Sequence, residues 1–183
     1  MKQFNHIMVI GGTGMLAEAT RYLCKRSEVL TLFSRLGRSV EGVLANVVPI
    51  QADYHDGAYF AEAVSNSIVQ YGPPSLVLAW FHEDKPAYQL AEQLAAVGSL
   101  FSFFHVLGSA SANPVSSLVK LRQPYEALSN IDYHQVVLGF KHESSRSRWL
   151  TNWEISQGMI QALNANKAVH IVGCIEPWDA RPS

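Results

Sequence analysis

The stretch His6-Ile7-Met8-Val9-Ile10-Gly11-Gly12-Thr13-Gly14-Met15-Leu16-Ala17 decides the reading of this chain. Four apolar residues run into glycines, and helical spacing starts at once. The pattern predicts a strand, a tight turn and a helix N-terminus. Such a terminus presents backbone N–H groups and the positive end of the helix dipole, a natural seat for phosphate. Glycine lets the backbone approach a pyrophosphate with no side chain between them. The spacing is Gly11-x-x-Gly14-x-x-Ala17, with Gly12 as an extra glycine, and differs from G-x-G-x-x-G. A glycine triplet alone also serves as a plain strand-to-helix turn; the flanking strand, helix and early position favour the phosphate reading. The candidate cofactor-binding turn is therefore Gly11, Gly12, Thr13, Gly14, Met15 and Leu16.

Outward from the turn, strand-like and helix-like segments alternate. Residues 29–33, 47–51, 76–80 and 100–107 read as strands. Leu16, Thr20, Leu23 and Cys24 share one face of the first helix. Asp56 is placed to cap a helix carrying Phe60, Val64 and Ile68, which Tyr71-Gly72-Pro73-Pro74 ends. Pro86 suits a first helical position, and Ala87, Leu90, Leu94 and Val97 form an apolar stripe. Between residues 113 and 130, Pro114 and Pro124 predict at most a short helix. Residues 133–140 alternate, with His134, Val136, Leu138 and Phe140 on one face. Residues 144–148 read as a polar loop. Thr151-Asn152-Trp153-Glu154 is a capping box before a helix, and residues 168–175 a last strand. This alternation predicts an α/β, Rossmann-like doubly wound fold: a mainly parallel sheet flanked by helices, with strand order beginning 3-2-1-4-5. Repeats, low-complexity tracts and linkers are absent, so residues 1–183 are expected to form one NAD(P)-binding domain.

Composition sets bounds. The 183 residues are 48% hydrophobic and 16% charged, with a net charge of -1. That suits one buried core and gives no electrostatic footprint for nucleic acid or an anionic membrane. No apolar run is long enough to span a bilayer, and the N-terminus lacks the apolar stretch of a signal peptide. The expectation is a cytoplasmic protein, with Cys24 as a buried thiol. No cluster has metal-ligand spacing. A homodimer is the base-rate expectation for a soluble oligomer.

The end of the second strand reads Leu32-Phe33-Ser34-Arg35-Leu36-Gly37-Arg38. An NAD site commonly carries Asp or Glu there to accept from the ribose 2′-hydroxyl. Here Ser34 can donate to a 2′-phosphate and Arg35 can pair with it, with help from Arg38. This favours NADP(H); the alternative is that Arg35 and Arg38 are solvated loop charges. Asp53 and Tyr54 follow the third strand, where Asp53 can accept from the adenine amino group and Tyr54 pack on the ring. Asp53 is alternatively a loop residue that caps the next helix.

Together these residues resemble the short-chain dehydrogenase/reductase superfamily, in its extended and atypical branches. The Gly-Gly-Thr-Gly turn, Ser34-Arg35 and Ala52-Asp53 carry the resemblance. So do Val106-Leu107-Gly108-Ser109, at the strand end that bears the family's active-site serine. Arg148-Trp149-Leu150-Thr151, running into Glu154-Ile155-Ser156, resembles the segment before a late helix in bacterial members. The resemblance covers most of the chain and is nearest to a compact bacterial group. It implies an NADP(H)-dependent oxidoreductase acting on a small carbonyl or similar small-molecule substrate. One departure is serious: no tyrosine here has a lysine four residues on, so the family's Tyr-x-x-x-Lys pair is missing. The catalytic candidates are Ser109, to polarise a carbonyl; His82, to donate a proton; and Tyr125, as a further donor. Trp80, Phe81 and Trp149 are candidates for an apolar substrate wall. The alternative is a non-catalytic NADP(H)-binding sensor or regulatory module.

Overall fold

A computed structural model describes residues 3–43, 45–108, 114–143 and 146–182, the side chains of 114–116 excepted. Among these residues, seven parallel strands form one sheet in the order β3-β2-β1-β4-β5-β6-β9. The elements are β1 (Phe4–Ile10), α1 (Ala17–Cys24), β2 (Ser27–Ser34), β3 (Val47–Gln51), α2 (Gly57–Tyr71), β4 (Leu76–Trp80), α3 (Asp84–Ala95) and β5 (Phe101–Leu107). They continue with α4 (Pro114–Glu126), β6 (Ile131–Leu138), β7 (Phe140–Glu143), β8 (Arg146–Trp149), α5 (Asn152–Ala165) and β9 (Val169–Val172). The α/β fold and the 3-2-1-4-5 order expected from the sequence are both present. The order reverses between β1 and β4, which opens a crevice at their carboxyl ends.

Both faces of the sheet are covered, and alternate residues of each strand go to opposite cores. Ile7 and Val9 of β1 join Leu30, Leu78, Val106 and Val136 under α1 and α5. Met8 and Ile10 join Phe33, Val77, Ala79 and Phe103 under α2, α3 and α4. Cys24 is fully buried on the first of these faces. The two caps form as the sequence predicts. Asp56 accepts from the Tyr59 N–H at 3.2 Å, and Thr151 and Glu154 make a reciprocal capping box.

Four local expectations need correction. The segment with two prolines forms α4, a helix of 13 residues. Pro114 occupies its first position, where a missing N–H costs nothing, and Pro124 falls in the last turn. Pro86 is the third residue of α3, still within the turn whose N–H groups have no intrahelical acceptor. In β6 the alternation hides burial on both faces: Tyr133 to Leu138 are all buried, because α4 covers one side and α5 the other. Arg146, Ser147 and Arg148, expected in a polar loop, form β8 with Trp149, paired antiparallel with β7.

Phe140 anchors this hairpin in the core, and Glu154 ties its charged part to α5. Its carboxylate takes two hydrogen bonds from Arg148, at 2.8 and 3.0 Å, and pairs with Lys141 at 2.9 Å. The exposed part of the hairpin is thus joined to the first turn of α5 by charge. Arg148 beside it, then the Thr151 N–H and Lys141, holds the Glu154 carboxyl well below the usual carboxylate range. No helix among the described residues is long and apolar enough to cross a membrane.

Candidate cofactor cleft

The sheet brings together residues far apart in the chain. A cleft of about 190 Å³ lies at the carboxyl ends of β1, β2, β3 and β4. Gly11 and Thr13 line it from the turn, Ser34 and Arg35 from the end of β2, Ala52 and Tyr54 from beyond β3, and Trp80 and His82 from the end of β4.

Each glycine of the turn has a different reason to be there. Gly11 has φ +73°, in the left-handed region, and its N–H donates to the Phe33 carbonyl at 3.0 Å. Gly12 is buried where α1 crosses β1. A Cβ on it would stand 2.4 Å from Val9 Cγ1 and 2.5 Å from Thr20 Oγ1. Thr20 fastens the same place by donating to the Gly12 carbonyl at 2.9 Å. Gly14 is exposed, and a Cβ on it would meet nothing within 4 Å. The turn is thus packed on its inner side and open on its outer side. No side chain caps α1. Leu16 is buried, so its side chain serves the core, and Ser156 of α5 braces the turn by donating to the Met15 carbonyl at 2.6 Å.

Ser34 closes β2 and organises the loop after it. Its hydroxyl accepts from the Arg38 N–H at 3.1 Å, and its carbonyl accepts from Gly37 and Ala52. The hydroxyl keeps its own proton to donate. Arg35 is exposed at the cleft rim, with no carboxylate among the residues lining that cleft. Arg38 is exposed too but lies outside the lining. Asp53 also lies outside it and accepts from the His55 N–H at 3.1 Å; the capping alternative falls instead to Asp56. Tyr54 does line the cleft; its ring packs edge-on to Phe81 and its hydroxyl accepts from the His82 N–H at 3.4 Å. The arrangement can hold a nucleotide: an open glycine turn for phosphate, a cation and a hydroxyl at the second strand, an aromatic ring at the third.

The catalytic candidates separate. His82 is exposed at the cleft, 5.7 Å from the Trp80 ring and edge-on to it. Ser109 lies outside the described residues. Tyr125 is placed elsewhere. It is 1% exposed, stacked on Tyr133 at 3.8 Å and 10°, and packed on Phe103, in the amino-terminal half of β5. The cleft is at the opposite end of the strands, so Tyr125 is a core residue. Burial raises the Tyr125 phenol above its ordinary value, which further unsuits it as a proton donor. His105, packed beside it, is fully buried and pushed down by burial to about 3, a neutral core residue. Phe81 is also core, whereas Trp149 is exposed on β8.

Two features escaped the sequence reading. One is the Glu154–Arg148–Lys141 tie. The other is the seating of Trp80, which the sequence offers only as an apolar wall: its side chain lies against Gly11 on one side and Gly108 on the other. Neither has a sequence signature, because each joins residues whose proximity only the sheet creates.

Solved structures with this fold are numerous. A short-chain dehydrogenase from Oenococcus oeni superposes with TM-score 0.70 at 14% identity, covering 98% of this chain and 97% of its own. A short-chain dehydrogenase from Burkholderia cenocepacia, in complex with NADP, gives 0.62 at 16%, over 96% and 91%. A reductase described as NADH-dependent, complexed with NAD, gives 0.58 at 12%, over 93% and 94%. The chain thus has the fold of short-chain dehydrogenase/reductase structures along nearly its whole length. No protein-family model matches it, and no curated protein matches it by sequence.

Proposed function

We propose that this chain is an NADP(H)-binding oxidoreductase of the short-chain dehydrogenase type, acting on a small carbonyl or similar group. One observation carries the reading: the cleft that gathers Gly11 and Thr13 of the turn with Ser34, Arg35, Tyr54 and His82 at the strand-order reversal. The backbone from Gly11 to Leu16 would hold the pyrophosphate, with Gly14 leaving it room. Ser34 and Arg35 would take the 2′-phosphate, and Tyr54 would lie against the adenine. The likeness to structures bound to NADP and to NAD supports a nicotinamide cofactor; the preference for NADP(H) rests on Ser34 and Arg35 alone. When bound, the cofactor supplies or accepts the hydride.

In this reading His82 supplies the proton. It lies two residues past the end of β4, at the cleft, its ring reaches solvent for reprotonation, and histidine is a common general acid. Its ring packs against Trp80, and its backbone N–H donates to the Tyr54 hydroxyl. Oxidation of NADPH by a panel of aldehydes and ketones tests this, with His82→Ala expected to lower kcat about a hundredfold or more. Turnover that ignores His82 would remove it from the mechanism.

The second reading is a sensor that binds NADP(H) without turning over. The absence of Tyr-x-x-x-Lys and the burial of Tyr125 favour it. Tight NADPH binding with no turnover on any carbonyl would select this reading.

A further inference from the structure

Trp80 stands at a junction of the sheet. β4 lies between β1 and β5, at the point where the strand order reverses, and Trp80 is its last residue. The four residues before it are buried; Trp80 is half-buried and lines the cleft. Its indole spans the gap between neighbouring strand ends. A Cβ on Gly11, after β1, would stand 3.3 Å from indole Cδ1. A Cβ on Gly108, after β5, would stand 3.2 Å from Cη2 at the far edge of the ring. Glycine on both flanks leaves the indole lying across three strand ends with no side chain between it and either backbone.

A dinucleotide binds across this crevice, with its pyrophosphate at the helix N-terminus and its two nucleosides on opposite sides of the reversal. Ser34, Arg35 and Tyr54 mark the β2–β3 side as the adenosine side. The other nucleoside must then leave the turn toward β4 and β5, and its path crosses Trp80. An indole face is a broad, electron-rich platform against which a nicotinamide ring can lie in either redox state, with an added cation–π contribution when the ring is oxidised.

We propose that Trp80 is the platform on which the nicotinamide half of the cofactor rests, and so the residue that makes the site select a whole dinucleotide over its adenosine portion. This rests on the cofactor reading above. Its sequence context gives no hint of it, since the two glycines that frame the indole are 97 positions apart (11 and 108).

The test compares two ligands by calorimetry: NADPH and adenosine 2′,5′-bisphosphate, which lacks the nicotinamide half. Trp80→Ala is expected to weaken NADPH about tenfold or more, the size of a lost stacking contact, and to leave the bisphosphate within about twofold. Trp80→Phe should retain most of the NADPH affinity. Bisphosphate binding by each variant shows that the turn and the β2 end remain folded. Unchanged NADPH affinity in Trp80→Ala overturns the inference, as does an equal loss of both ligands in both variants, which would make Trp80 a support of the turn. Equal affinity of the two ligands for the native chain also overturns it while leaving the Ser34–Arg35 subsite standing. Failure of the native chain to bind either ligand overturns the cofactor reading itself.

Discussion

Gly12 and Gly14 are two residues apart and answer to different demands. Gly12 is where α1 must touch β1, and any Cβ there collides with Val9 and Thr20. Gly14 faces outward into open space. Gly12→Ala should therefore destabilise the fold by about 1–3 kcal/mol, the usual cost of overpacking, read as a lowered urea midpoint. Gly14→Ala should leave that midpoint unchanged and weaken NADPH binding, because the new methyl group would stand where the phosphate approaches. Equal effects of the two changes on stability would mean that the turn is structural throughout. The sequence distinguished neither glycine from the other. It showed that a turn was needed there, but which glycine packs and which faces outward depends on Val9, Thr20 and Leu32 in three dimensions. Asp53 and Arg38 teach the same lesson: their types fit a nucleotide site, yet neither lines the cleft.

At the scale of elements, the β7–β8 hairpin and α5 behave as one unit because Glu154 ties them. Its carboxyl is held below its ordinary value of 4.5 chiefly by Arg148. The sign follows directly: the unfolded chain takes up this proton at higher pH than the folded chain, so the tie stabilises fully above 4.5 and is lost as pH falls toward the depressed native value. Thermal melts from pH 6 down to pH 3 should show a steeper loss of Tm in the native chain than in Glu154→Gln. Parallel curves would mean that the ion pairs contribute nothing to the fold. The hairpin was illegible beforehand because strands are read from apolar alternation, and Arg146-Ser147-Arg148 has none. Helix α4 was underread for the opposite reason. Two prolines signal interruption, but a proline at a helix start and another in its last turn interrupt very little.

At the scale of the whole molecule, the strand order was the most legible property. Alternation of strand and helix with an early phosphate turn leaves few topologies, and the sheet order β3-β2-β1-β4-β5 is the one expected. The cleft followed from that order, since the reversal between β1 and β4 determines where the strand ends part. What the order could not reveal is which side chains meet across it: Trp80 with Gly108, Tyr54 with His82, Tyr125 with Tyr133. Tyr125 shows the cost. The sequence offers it as a proton donor, yet its place in the last turn of α4 puts it at the end of the sheet away from the cleft.

The central claim is that the cleft binds NADP(H) through Ser34 and Arg35, and calorimetric titration of the native chain and Arg35→Ala with NADPH and NADH tests it most directly. The prediction is markedly tighter binding of NADPH by the native chain, with Arg35→Ala losing about 1.5–3 kcal/mol for NADPH, as expected for a charge-assisted contact, and little for NADH. Equal affinity of the native chain for the two cofactors, or no binding of either, would contradict it.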